Sequence, residues 1–170
     1  MTDSVAERLY RRILSLAGLA RVTASRDDGP TQVLQLDLGA SEVQDNRFRM
    51  AEYGFASRPQ PGADALVVYP MGERSGGVVI ATGDRRYRLR GLAGGEVALY
   101  DDLGHVVRLG RAGITLDGGG HAVAIVNAPK LTVAGDIEAT GDVKAGTVSL
   151  RQHVHSLVQP GTGNSGTPVP

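Results

Sequence analysis

Apolar and polar positions follow three different rhythms along the chain. At the start, Val5, Leu9, Ile13 and Leu16 recur at helical spacing, and Arg8, Arg11 and Arg12 fall largely off that stripe. Ser4-Val5-Ala6-Glu7 is a capping box, in which the Ser4 hydroxyl accepts from the Glu7 amide and the Glu7 carboxylate accepts from the Ser4 amide. Gly18 can close the helix in a left-handed conformation. The pattern predicts one short amphipathic helix within residues 1–18. It serves either as a docking element for a partner or as a helix packed on its own domain. Arg11-Arg12 before a short apolar run superficially imitates a signal peptide, but Asp3, Glu7 and the helical periodicity argue against one.

From Leu19 to about Arg90 the rhythm becomes that of strands. Ala20–Ala24, Gln32–Leu38, Ala65–Tyr69 and Val78–Thr82 are β-branched or alternating runs. Asp27-Asp28-Gly29-Pro30, Pro59-Gln60-Pro61-Gly62 and Gly76-Gly77 separate them as turns. Short strands with no helical segment between them favour a small closed barrel of the OB type over residues 19–92. Such barrels often bind oligonucleotides or sugars through stacking aromatics and a basic groove. Phe48, Tyr53 and Phe55 with Arg47, Arg49 and Arg58 imitate that signature, but in a chain this short of aromatics they read as core and rim.

After Gly94-Gly95 the apolar pieces become very short and regularly spaced. Val97–Tyr100, Val106–Leu109, Ile114–Leu116, Val123–Val126 and Leu131–Val133 follow one another, and then the spacing contracts. In the contracted units Ile137 and Ala139, Val143 and Ala145, and Val148 and Leu150 point to one face; Glu138, Lys144 and Ser149 point to the other. Gly-punctuated strands of this kind are the signature of a β-solenoid, whose units bury their apolar face only by stacking on neighbours. A single chain has too few residues here to close independent coils, whereas three chains wound together share their edges around an axis. Residues 93–150 therefore predict an intertwined triple-stranded β-helix in a homotrimer. The fold class is mainly β: a short N-terminal helix, an OB-type barrel, then that β-helix.

Composition narrows the chemistry. Of 170 residues 24 are Gly, two Phe and none Trp, which argues against a core built on large aromatics and favours a turn-rich β protein. Lys plus Arg and Asp plus Glu each number 18, which argues against general attraction to nucleic acid or anionic membrane. With no cysteine, histidine is the only strong nitrogen or sulfur ligand. In residues 151–170, His153-Val154-His155 reads as strand, which would turn both imidazoles to one face. Alone, such a pair is also what an unliganded, solvent-facing strand presents. On a three-fold axis it becomes six nitrogens, an octahedral set that suits iron better than zinc and also admits nickel or cobalt. Ser156 to Pro170 carries no charge and reads as a tail that either folds back over the site or stays disordered.

Asp101, Asp102, His105, Asp117 and His121 are the residues from which an acid/base or metal constellation would be assembled. They fall in the turns of the repeat, where Asp and Gly serve turn geometry, and a thin prism offers no concave pocket. The reading is therefore not an enzyme, with no small-molecule substrate and no nucleic-acid partner.

Four segments in order carry a resemblance over almost the whole chain: Tyr53-Gly54-Phe55-Ala56-Ser57-Arg58-Pro59, Val78 to Leu89, Gly95 to Tyr100, and His153-Val154-His155. Through them the chain resembles the Mu-like phage baseplate assembly protein V family, the central tail spikes. The resemblance implies a homotrimeric needle whose N-terminal OB domain sits on a baseplate hub protein and whose β-helix points at the host. It implies transient contact with the host outer membrane, pierced when the sheath contracts, and a virion tail location after assembly in the host cytoplasm. It also implies one iron ion (Fe2+) per trimer, held by His153 and His155 of each chain and by no other histidine. Arg85 and Arg86 match the junction between domains, with no ligand implied. A trimeric adhesin or carbohydrate-binding spike would share the β-helix, but should add aromatic platforms or a receptor-binding head. The spike of a phage-derived injection device would share every feature.

Overall fold

The computed structural model describes residues 4–154 and Gly161. It divides into two compact units, residues 1–123 and 124–170. The first opens with α1 (Val5–Leu14), where both hydrogen bonds of the capping box are present. The helix stops at Ser15 rather than Gly18. Gly18 lies instead in β1 (Ala17–Arg26), because the backbone of Leu16 is drawn into pairing with Tyr69, whose amide donates to the Leu16 carbonyl at 2.8 Å. The apolar stripe Val5, Leu9 and Ile13 is exposed.

Four further strands, β2 (Val33–Asp37), β3 (Val43–Arg49), β4 (Asp64–Val68) and β5 (Val78–Gly83), close a barrel with β1 in the order β1-β2-β3-β5-β4. β1 closes it by pairing through Ala17–Arg21 with β4 and through Arg21–Arg26 with β2; a register shift between Val22 and Ala24 marks the bend. β3 and β5 run parallel, while the other pairs are antiparallel. The expected closed barrel is present, and strict alternation fills it: Ala20 and Val22, Leu34 and Leu36, Ala65 and Val67 point inward. Tyr69 is fully buried, and its hydroxyl donates to Oε1 of buried Gln44 at 3.2 Å. Gly77 is fixed by this packing, since a Cβ there would lie 2.7 Å from the Tyr69 ring.

β3 was not anticipated. Its sequence, Val43-Gln44-Asp45-Asn46-Arg47-Phe48-Arg49, is polar, and only Gln44 is buried. Asn46 takes a left-handed conformation where the register with β2 shifts. The aromatic reading also changes. Tyr53 is fully exposed, at 103% of its reference area, and Phe55 is exposed, so neither belongs to the core.

Beyond the barrel, β6 (Val97–Tyr100), β7 (Val106–Leu109) and β8 (Ile114–Asp117) form an antiparallel meander in the expected places. Among the described residues of the second unit, only β9 (Lys144–Ala145) and β10 (Val148–Ser149) pair. The predicted strands at Val123–Val126, Leu131–Val133 and Ile137–Ala139 do not form within the chain. Among the described residues, the backbone of 124–142 makes no hydrogen bond to other backbone. A strand of three or four residues is not a stable conformation without a neighbouring strand to satisfy its N–H and C=O groups.

Candidate functional site

The meander presents apolar side chains to solvent on strands whose pattern calls for burial. Val97 and Leu99 on β6 and Ile114 and Leu116 on β8 are exposed, Ile114 at 72%. Leu99, Val106, Val107, Leu116, Ala122 and Val123 help to line an open cavity of about 410 Å³. In the second unit the same holds for Val133, Ile137, Val143 and Val148, with Ile137 at 75%. Exposed apolar rows of this extent mark an association surface.

His153 emerges from a turn rather than a strand. The Asp142 carboxylate accepts from the Ser149 hydroxyl at 2.9 Å and from the Arg151 amide, while the Ser149 hydroxyl accepts from the Gln152 amide. These bonds curl the chain so that the His153 amide donates to the Ser149 carbonyl at 3.0 Å. Nδ1 of the same ring lies 3.0 Å from the Ser149 carbonyl and 3.1 Å from that of Leu150. Carbonyl oxygens only accept, so Nδ1 carries the proton and the lone pair is on Nε2. A backbone carbonyl on the far nitrogen is how protein imidazoles are commonly oriented toward a metal, so His153 has the chemistry of a ligand. His155 and the tail lie outside the described residues.

Of the five residues of the constellation in residues 101–121, the structure brings three side chains together. His105 Nδ1 lies 2.5 Å from Asp101 Oδ2, and the rings of His105 and His121 meet edge to face with centroids 5.1 Å apart. Asp102 turns away to accept from the Gln60 side-chain amide at 2.5 Å, and Asp117 accepts from the Gly119 amide. Partial removal from water raises the Asp101 carboxyl, but hydrogen bonds from the His105 ring and from the Leu103 and His105 amides outweigh this and hold it below its ordinary value. Arg85 and Arg86 serve the barrel. Arg85 pairs with Asp64 at 2.7 Å, and Arg86 bonds Asp84 and the Pro61 carbonyl.

Residues 20–86 match the family model described as Bacteriophage Mu Gp45, N-terminal, a stretch that begins in β1 and ends just after β5. The chain is 32% identical over 148 residues to the baseplate puncturing device gp45 of Escherichia phage Mu, covering 81% of this chain and 75% of that protein. The chain belongs to the bacteriophage Mu Gp45 family. A second Gp45 relative, the Mu-like prophage FluMu protein gp45 of Haemophilus influenzae, is 30% identical over 165 residues, covering 86% of this chain and 90% of that one. The Gp45 relationship extends well past the barrel, so it includes sequence carrying the exposed apolar strands. The phage Mu relative is named for a baseplate and for puncturing.

Proposed function

We propose that this Gp45-family chain is the central spike of a contractile phage-type tail, built as a homotrimer and located at the virion baseplate. The observation that carries the reading is the run of strand-patterned apolar residues, from Val97 to Val148, that a single chain leaves in solvent. Three copies winding about one axis give those side chains a core and give the backbone of residues 124–142 its pairing partners, which is the triple-stranded β-helix. The barrel, with its strand order and parallel β3–β5 pair, is read as an OB-type domain that docks on the baseplate hub protein. The needle pierces the host outer membrane in the role that the name of the phage Mu relative describes. No catalysis is assigned to it. The spike of a phage-derived injection device would use the same architecture.

At the apex, His153 and His155 from three chains would hold one Fe2+ in an octahedral shell of six imidazoles. When bound, the ion supplies a cross-link among three chain ends that must not splay under load. A structural site of this kind can contribute something on the order of 10 kcal/mol to the assembled state. Elemental analysis of the purified protein is expected to give one iron per three chains, lost in the His153→Ala/His155→Ala variant. Unchanged iron in that variant would refute the apex assignment. Replacing Ile137 and Val143 by Asp tests the trimer separately: sedimentation velocity should show dissociation toward single chains, and an unaffected assembly would contradict the winding.

A further inference from the structure

We infer that α1 is a docking element whose occupant is a partner protein presenting an apolar groove with an acidic rim. The inference rests on the reading that the barrel docks on the baseplate hub, and it assigns that groove to the hub protein. At about 100° per residue, Val5, Leu9 and Ile13 fall within about 80° of one another, and Tyr10 and Leu14 widen the apolar face to about half the circumference. No residue of α1 is buried, and this face stands in solvent, Leu9 at 59%. The helix is held by its backbone instead. Gly72, whose φ is +71°, approaches the last turn so closely that a Cβ there would lie 2.5 Å from the Arg12 carbonyl oxygen. Just beyond the helix, the Leu16 carbonyl accepts from the Tyr69 amide at 2.8 Å. These contacts fix α1 on the barrel and leave its apolar side chains unused.

Charge selects the occupant. Arg12 and Arg8 flank the apolar face on the side next to Val5, and neither makes an ion pair among the described residues. Glu7 is the one acid within α1, and its carboxylate accepts from the Ser4 amide at 2.9 Å in the capping box. A second copy of the helix would therefore set flanks of like charge beside one another, whereas acidic side chains on a different protein would pair with both guanidiniums. A lipid surface has no need of a fixed helix direction, and equal numbers of acidic and basic residues give the chain no general attraction to an anionic membrane. A shaped groove does reward that direction, because a helix already held in place loses little freedom on binding. Val5, Leu9 and Ile13 are then successive anchors along one helix face, the pattern by which amphipathic helices enter apolar grooves.

Calorimetric titration of the full-length chain with the purified hub protein of the same tail tests this. The unsubstituted chain should bind, and Leu9→Asp/Ile13→Asp should weaken binding at least about 100-fold. Native mass spectrometry and urea denaturation of that variant should match the unsubstituted chain, because both positions face solvent. Arg8→Glu/Arg12→Glu should weaken binding about 10-fold and flatten its salt dependence. Hub binding that survives Leu9→Asp/Ile13→Asp would overturn the inference and leave the docking reading intact, whereas no binding by the unsubstituted chain would overturn both. Undiminished binding by Arg8→Glu/Arg12→Glu would remove the acidic rim. Loss of self-assembly in Leu9→Asp/Ile13→Asp would make a second copy the occupant. Leu9-dependent co-sedimentation with vesicles of phosphatidylglycerol and phosphatidylcholine would make it a lipid surface, and either result overturns the inference.

Discussion

Glu96 shows how a single residue ties the meander to its own entry turn. Its carboxylate accepts from the Arg108 guanidinium on β7, from the Ala93 amide and from the Arg111 amide. The Arg108 bond first, and the Ala93 amide next, hold the carboxyl below its ordinary value of 4.5. Glu42, bonded chiefly by Arg74, and Asp84, bonded chiefly by Arg86, are displaced the same way. Because the folded values lie below the unfolded ones, the unfolded chain takes up protons first as pH falls. The stabilisation is complete above the ordinary carboxylate range and is lost as pH drops through the folded values. Urea denaturation at a series of pH values should show stability falling below about pH 4.5, with a shallower fall in Glu96→Gln. An identical slope in that variant would contradict the role given to Glu96. At this scale local chemistry was legible: the Ser4–Glu7 capping box is present because it depends on residues three apart. The turn under His153 was not, because it depends on Asp142, which lies seven residues before Ser149 and reads simply as a turn residue.

At the scale of elements, the strands that could be read were those whose own side chains fill the barrel. Leu34 and Leu36 on β2 and Ala65 and Val67 on β4 alternate cleanly and are buried. Leu36→Ala should cost about 2–5 kcal/mol by chemical denaturation. Gly77→Ala, which forces a methyl group toward Tyr69, should cost about 1–3 kcal/mol. A neutral result for both would mean that the barrel core is not the stabilising element. β3 escaped because its contribution to the core is a buried Gln44 held by Tyr69, a pairing that no hydrophobic periodicity records. The end of α1 escaped for a related reason. Gly18 is an apt helix stop, but pairing of β1 with β4 claims it first, at Gly18 opposite Val67.

For the whole molecule, residues 123–139 carry the pattern of strands that one chain does not form. Residues such as Ile137 and Ala139 have the alternation of a strand and the exposure of a loop. The information is in the pattern, while in the proposed trimer the hydrogen-bonding partner and the apolar core would come from neighbouring copies. The same reasoning bears on the apex. The described His153 has its ring set by backbone carbonyls, and its partners in a metal shell would come from other chains. Trimerisation is therefore the claim on which needle, edge pairing and apex all depend. Native mass spectrometry of the full chain tests it most directly. A single dominant species of three chains with one iron ion is predicted, and a folded, predominantly monomeric species would contradict the account.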